Sequence, residues 1–528
     1  MKSVQPGYVP AASDRTHLVA AMLQPAFYSH GPADVIHKET HISDVFLAGD
    51  LVYKLKKPVA FSFLDFSTLS LRRHFLHEEL RLNRRLAPTV YLQVLPITFD
   101  GDGWHLGDGR NPIEYALLMR RLPENRMLSS LLKNGRVTPR QMWDLADHLA
   151  RFHAAATAAP GTEPDAYWAT LHTQWRDNLH ELKPLLKSRR DEAALEALIR
   201  TGSEFLNSNR DLFRRRVSQG WIRDVHGDLH AEHVCFAADG IQVFDCIEFN
   251  AELRCCDLAS EVAFLLMDLA VRGGESLISS FLTPYLESLR DAEFTRLLPY
   301  YQSYRALVRA KVNGLRLGQW NEDAARYFSY AQRFMWLHFQ PFILLIAGLT
   351  GSGKSTLARD LSARLGMALI NSDHVRKRLA GNRARQEVPV NEGIYSPSMT
   401  ELTYRRMAEE AEAELSREHG VIIDASFGRR SHRETFARLA AKHHVPLLVL
   451  HCSAADAETA ERLRRRAETG SDISDGRWEV YLAQKASSEP LDEFSPSVML
   501  ELPTDAGIEA AGAEAEAFLH AALERSRR

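Results

Sequence analysis

This 528-residue chain has no apolar run long enough to cross a bilayer. Its clearest such run, FILLIAGL at 342–349, is under half of the ~20 residues a membrane helix needs. The opening residues, MKSVQPGYVPAASDRTH, hold no apolar stretch of the secretory kind, so the expectation is a cytoplasmic protein with no membrane partner. Cysteine is scarce: Cys235, Cys246, Cys255, Cys256 and Cys452 make an odd count and no C-x-x-C pair. That excludes a disulfide framework and fits a reducing compartment. Neither sign of charge dominates, since 65 Lys and Arg face 68 Asp and Glu for a net of −3. A broad nucleic-acid surface therefore has no support from charge, although a local basic groove is compatible with it. G-x-G-x-x-G, the commonest glycine cover for a nucleotide, is also missing.

Hydrophobic content of 45% with 25% charged residues is that of a soluble globular chain, and the length calls for two or three cores. VFLAGDLVYKLK (45–56) predicts two short strands around a Gly-Asp turn, and LSLRRHFLHEELRLNRRLAP (69–88) predicts a helix ending before Pro88. Helical periodicity runs from about 140 to 215, short strands follow around 222–249, and helices return from Asp257 to about Phe339. FQPFILLIAG then opens a new strand, which puts a domain boundary near 337–342. Beyond it, FILLIAG, MALINSD, VIIDAS and PLLVLHC alternate with helices, the pattern of a parallel α/β sheet. The reading is an α+β domain over 1–337 followed by an α/β domain over 338–528.

In the second domain, Gly348–Ser355 (GLTGSGKS) fills G-x-x-x-x-G-K-[ST] between an apolar strand and a helix. Backbone N–H groups of Gly348, Gly351, Ser352 and Gly353 would curl around phosphate oxygens at the helix N-terminus, with Thr356 just inside it. Lys354 would meet the β- and γ-phosphates of ATP, and the Ser355 hydroxyl would ligate Mg2+. Asp424, closing VIIDAS, reads as a second metal-supporting carboxylate. Asp373, closing MALINSD and followed by Arg376 and Arg378, reads as the group that handles an acceptor hydroxyl. The alternative for either aspartate is a helix N-cap. ERLRRRAETGSDISDG (461–476) reads as a lid whose arginines close over the phosphate, or as a solvated charged face.

GLTGSGKST, NSDHVRKRL, VIIDASFGRRSHRETF and ERLRRR together resemble the P-loop kinase group of polynucleotide, gluconate and zeta-toxin-like kinases, over roughly 342–495. The resemblance implies acceptor activation by Asp373 and acceptor contact by Arg376. It also implies lid arginines at Arg462 and Arg466, with Arg464 and Arg465 as rival registers. A nucleic-acid acceptor would need stacking aromatics, for which Phe427 and Tyr395 are the candidates.

The first domain turns on VHGDLHAEHVCF, Val225–Phe236. One reading is a zinc cluster of His226, His230 and His233 with Cys235 or Cys246. Gly227, Asp228 and the strand-like HVCF oppose the helix such a cluster needs. In the other reading Asp228 accepts an acceptor's proton, and His233 stands five residues later where kinase loops place a metal-binding asparagine. Asp245 then follows a hairpin as the principal metal ligand. If AADG turns the chain, HVCF pairs with IQVF, placing His233 near Phe244. Lys54, on a strand, and Glu79, on a helix with Glu78 as rival, would orient the phosphates.

HGDLHAEH, VFDCIEFN and CCDLA resemble the aminoglycoside phosphotransferase family, with its kinase-like two-lobed fold, over roughly 35–330. The resemblance implies Asp228 as base, Asp245 as metal ligand and Asp257 as a helix cap. It departs at His233, since imidazole is a softer magnesium ligand than an amide oxygen. Arg305, Arg309 and Arg316 in YQSYRALVRAKVNGLRL fall near one helix face, where paired carboxylates are the commoner explanation and contact with an anionic substrate the rarer one. The expectation is a bifunctional ATP- and Mg2+-dependent phosphotransferase acting on small-molecule hydroxyls. Its rival is a single P-loop kinase with a binding or regulatory domain in front.

Overall fold

The computed structural model describes residues 12–527 apart from 62–63, 101–102, 108–109, 160, 317–319, 382–395 and 470–476. The side chains of 12–14, 316, 466–469 and 527 also lie outside that description. The chain forms two compact units that do not follow chain order. One comprises Met1–Gln174 with Leu206–Ala306, the other Trp175–Phe205 with Leu307–Arg528.

The first unit is α+β. Its six-stranded antiparallel sheet runs in the order Val35–Glu39, Ser43–Ala48, Leu51–Lys56, Glu114–Arg120, Tyr91–Phe99, Trp104–Leu106. Gly49 takes φ of 61° in the Gly-Asp turn between the second and third of these strands. Alternation buries Phe46, Tyr53, Leu55, Ile97 and Leu118 on one side. On the other side Leu117 and Tyr91 pack with Leu76 of the helix Leu69–Asn83. Thr68 caps that helix by accepting the Leu71 N–H at 3.2 Å. The remainder is helical around Leu258–Val271, whose residues 258–269 are all buried. Two small ribbons interrupt it: Ile222–Asp224 with Cys255–Asp257, and Val234–Ala237 with Gly240–Val243.

The second unit is α/β. Five parallel strands stand in the order Ala368–Asn371, Val421–Asp424, Ile343–Ala347, Leu447–Ser453, Met499–Pro503. Four were expected; Met499–Pro503 was not, because Glu501 interrupts the apolar run of MLELP and prolines stand at 496 and 503. The central strand Ile343–Ala347 is buried throughout, as a strand covered by helices on both faces must be. Helices Arg189–Ser208 and Glu322–Leu337, both earlier in the chain than the strand break at 337–342, contribute to this unit. Arg190 reaches Asp360 at 2.5 Å and Glu516 at 2.7 Å, and Arg364 reaches Asp191 at 3.1 Å.

Candidate active sites

The first site assembles around Lys54 on the strand Leu51–Lys56. Its ammonium donates to Glu79 Oε1 at 2.7 Å and to Asp245 Oδ1 at 2.8 Å. Glu79 is fully buried on the helix Leu69–Asn83, whereas Glu78 turns outward to Arg81. Lys56, two residues along and so on the same face of the strand, donates to Glu79 Oε2 at 2.8 Å and also contacts Glu248. Lys56 and Glu248 were not foreseen; the doubled lysine in YKLKK was the available signal. Burial is the largest influence on the Asp245 carboxyl and would raise it, but the Lys54 ammonium and its hydrogen bond, with His233, together hold Asp245 well below the usual range. Burial would likewise lower Lys54, and the Asp245 and Glu79 carboxylates hold it well above its ordinary value.

Asp245 sits at φ 64° immediately after the ribbon, its backbone N–H held by the Tyr91 hydroxyl at 3.0 Å. The ribbon pairs Val234 with Val243, and the Phe244 N–H donates to the His233 carbonyl at 3.0 Å. His233 and Asp245 therefore come side by side. His233 Nδ1–H donates to the Asp228 carbonyl at 2.9 Å, which leaves the lone pair on Nε2, 3.6 Å from Asp245 Oδ2. A lone pair facing a carboxylate oxygen is repulsive without a cation or proton between them. The pair fits a divalent ion. Burial first, then neighbouring His230, lowers the His233 pKa and keeps the ring neutral.

Asp228 lies in the same space. Its Oδ2 is 3.5 Å from His230 Nε2 and 3.6 Å from His233 Nδ1. Ligand atoms of Asp228, His230 and His233 all fall within 4.8 Å of one another. The sequence-level zinc set is not this one. His226 has both nitrogens engaged, Nε2 with the Phe244 carbonyl at 2.8 Å and Nδ1 with the Asp228 N–H at 3.3 Å. Neither Cys235 nor Cys246 joins the trio. Glu261, also unforeseen, accepts the His226 and Gly227 N–H groups at 3.0 Å each and so fixes the loop; burial pushes its carboxyl up to about 7. Asp257 caps the helix Leu258–Val271 through the Ala259 N–H at 2.8 Å and takes a bidentate Arg216.

Arg305 departs from expectation. Its guanidinium meets the Gly227 carbonyl at 3.1 Å, the Ser260 hydroxyl at 3.3 Å and the Cys256 sulfur at 3.7 Å, with no carboxylate. The Arg316 side chain lies outside the described residues.

The second site follows the strand Ile343–Ala347. Gly348 takes φ 145°, where a Cβ would come within 2.4 Å of the Cys452 carbonyl oxygen, so only glycine fits. Gly351 and Gly353 both take φ 83°, curling the loop into the helix Lys354–Leu365. Lys354 Nζ rests on the Leu349 carbonyl at 3.4 Å, and Ser355 and Thr356 lie in the helix's first turn. Ser352 Oγ is buried and has no hydrogen-bond partner among the described residues.

Asp424 closes its strand as expected. Its Oδ2 accepts Asn371 Nδ2 at 2.6 Å, and its buried Oδ1 has no partner among the described residues. Burying a bare carboxylate oxygen is costly, so this atom suits a metal or its water. Asp373 does not close a strand: the strand ends at Asn371, and Asp373 lies in the first turn of Ser372–Leu379. Nor is Asp373 the cap, because Asn371 takes that role, accepting the Asp373 and His374 N–H groups at 3.0 Å. Asp373 is thus left facing Arg376, whose Nη1 donates to it at 2.8 Å.

Arg462 reaches the Thr504 hydroxyl at 2.8 Å, the Thr504 carbonyl at 2.9 Å and the Gly351 carbonyl at 3.4 Å. Thr504 follows the unforeseen fifth strand, which is why sequence reasoning missed it. Arg464 and Arg465 pair with Glu461. The Arg466 side chain, residues 470–476 of the expected lid, and Tyr395 lie outside the described residues. A cavity of about 310 Å³ lies against Gly353, Thr356, Arg462, Thr504 and Gly507. Phe427, expected as a stacking aromatic, is instead fully buried in the core beside Phe436.

Comparison with known proteins finds a family match for each domain. Residues 64–306 match the family described as phosphotransferase enzyme family, and residues 343–491 match one described as AAA domain. Uncharacterized proteins of Mycobacterium tuberculosis and Mycobacterium bovis are 33% identical over 444 residues, covering 83% of this chain and 87% of theirs. A gluconokinase of Gluconobacter oxydans is 26% identical over 127 residues, 24% of this chain and 66% of its own. Among solved structures, a gluconokinase from Sinorhizobium meliloti covers 35% of this chain and 96% of its own at 15% identity, with a TM-score of 0.27. No described helix is long and apolar enough to cross a membrane.

Proposed function

The chain belongs to one family with these mycobacterial proteins and is a phosphotransferase built from two kinase-type domains; from that premise we propose that it holds two ATP sites, each serving a hydroxyl acceptor. The domains are taken as 1–337 and 338–528, with the boundary inside the stretch 307–342 that neither family match covers. The observation that carries the proposal is the Lys54 ammonium bridging Glu79 and Asp245, because it joins strand, helix and metal loop in the order a kinase-like site needs.

In the first domain Asp228 takes the acceptor proton while Lys54 orients phosphate oxygens. In the second, Lys354 and the loop N–H groups bind the phosphates, Asp373 and Arg376 serve the acceptor, and Arg462 with Arg466 stabilise the transferring charge. Asp245 and His233 would hold a divalent cation in the first domain, and Ser355 and Asp424 in the second, where it neutralises phosphate charge. ATP with Mg2+ is the proposed pairing, small molecules the proposed acceptors and the cytoplasm the proposed location.

One observation favours a second reading, with the first domain as a binding or regulatory module. The turn between Val35–Glu39 and Ser43–Ala48 has no glycine and is closed by the Thr40 hydroxyl, which accepts the Ser43 N–H at 2.9 Å.

The test is transfer of labelled γ-phosphate by the full chain to sugars, small alcohols, nucleosides and oligonucleotides, with Asp228→Asn and Lys354→Ala made singly. Each variant should remove one class of product and spare the other. Loss of every product on changing Lys354, with no effect of changing Asp228, selects the one-site reading.

A further inference from the structure

The first unit contains a cavity of about 340 Å³ that no role above uses. Its size suits a small organic ligand. One wall is the tyrosine series Tyr167, Tyr301 and Tyr304, with Leu171 and Leu253 completing an apolar slot. Arg305, only 7% exposed, is the cation that lines it. Glu163 and Glu252 also line it, but both are exposed and so stand at the rim.

A buried guanidinium ordinarily has a carboxylate partner, since leaving its charge uncompensated is costly. No carboxylate bonds Arg305 among the described residues; Glu261 and Asp228 act on it only from further away. Its contacts are a carbonyl, a hydroxyl, a thiol and the face of Phe264, 4.9 Å from the ring centroid. Those contacts use three of its five N–H donors. One N–H on each terminal nitrogen is left without a protein acceptor among the described residues, and Arg305 lines the cavity. The Tyr304 hydroxyl, on the same helix and the same wall, makes no hydrogen bond among the described residues.

We propose that this cavity binds a small hydroxylated monocarboxylate, its carboxylate on Arg305 and its ring or chain between the tyrosines, and that this molecule is the phosphate acceptor of the first domain. One guanidinium matches one carboxylate, bidentately if both free donors engage. The glutamates at the rim repel a second negative charge, which disfavours a phosphate dianion or dicarboxylate. The Gly227 carbonyl that Arg305 holds belongs to the residue before Asp228, so the anchored end of the ligand lies beside the catalytic loop. The acceptor role rests on the phosphotransferase reading of this domain. In that step the acceptor hydroxyl oxygen bonds the γ-phosphorus of ATP, the bond from that phosphorus to the ADP oxygen breaks, and the hydroxyl proton passes to Asp228. The products are a phosphoester and ADP.

The experiment uses the full chain and three probes that carry the hydroxyl next to the group Arg305 would hold: mandelate, mandelamide and 2-amino-1-phenylethanol. Ligand-observed NMR titration without nucleotide reads binding, and labelled ATP reads transfer. The carboxylate should bind at least tenfold tighter than the amide, and the amine weakest of the three. Arg305→Gln should abolish that preference. Arg305→Lys, which keeps the charge should Gln fail to fold, should weaken binding but retain the order. Asp228→Asn should still bind the carboxylate while phosphoester formation falls. Equal binding of the carboxylate and amide, absence of carboxylate binding, or a preference that survives Arg305→Gln overturns the proposal. Carboxylate binding at Arg305 without any phosphoester from the parent overturns the acceptor role and leaves a carboxylate site; the active-site reading of this domain fails only if Asp228→Asn also changes no product of the wider acceptor screen.

Discussion

Lys54 Nζ lies 2.8 Å from Asp245 Oδ1, although 191 residues separate them along the chain. The same ammonium holds Glu79, so one cation fixes a metal-loop carboxylate and a buried helix carboxylate together. Lys54→Met would leave the buried Glu79 with Lys56 alone. A loss of about 1–3 kcal/mol in folding stability is expected, as for a buried acceptor stripped of one partner. Phosphotransfer by the first domain should fall far more than the second domain's. Urea midpoints and product-resolved transfer assays check both; an unchanged midpoint would mean that Lys54 is not the counter-ion the geometry makes it.

His233→Asn restores an amide oxygen beside Asp245. It should keep or raise transfer with magnesium and weaken any preference for manganese, which tolerates nitrogen ligands better. Asp245→Ala should abolish metal-dependent nucleotide binding at this site. Titrations of the full chain, with Lys354 changed to Ala to silence the second site, read both effects. Stoichiometric zinc lost on changing His233 would instead reveal the Asp228–His230–His233 trio as a zinc centre.

In the second domain Lys354→Ala should lower turnover about 100-fold or more, since it removes a charge aimed at the transferring phosphate. Asp373→Asn should behave differently, cutting transfer while leaving nucleotide affinity nearly unchanged. A large loss of ATP affinity in Asp373→Asn would move that residue from the acceptor side to the metal.

His153 is fully buried, and burial lowers its pKa to about 3 while its Nδ1 bonds the Tyr285 hydroxyl at 2.7 Å. The unfolded chain takes up a proton at this residue below about pH 6.5 and the folded protein does not. Its neutral form therefore costs nothing above that pH, and stability is lost as pH falls from there towards 3. The slope is about 1.4 kcal/mol per pH unit. His153→Gln removes this term, so the stability gap between parent and variant should narrow by that amount per unit from pH 6 to pH 4. Denaturation midpoints at stepped pH measure it; a constant gap would show that His153 charges in the folded protein.

The sequence by itself determined the elements whose logic is local. GLTGSGKS declares a phosphate loop because Gly348, Gly351 and Gly353 take φ of 145°, 83° and 83°, a backbone demand that is local. The spacing from Asp228 to His233 and the turn before Gly240 set the hairpin register, and with it the approach of His233 to Asp245. The choice of Glu79 over Glu78 rested on pattern, and burial in the fold separates them: one faces Lys54 and the other Arg81. Only the tertiary structure decided the rest. Asn371 rather than Asp373 caps its helix because the strand ends one residue before that helix begins. Thr504 joins the second site through a strand whose apolar run is broken by Glu501 and closed by Pro503, and Phe427 enters the core instead of a binding surface. Arg305, expected to meet a carboxylate, meets a cavity. Which side chain faces a charge three-dimensional packing supplies is a property of elements far apart in the chain, and residue spacing carries no record of it.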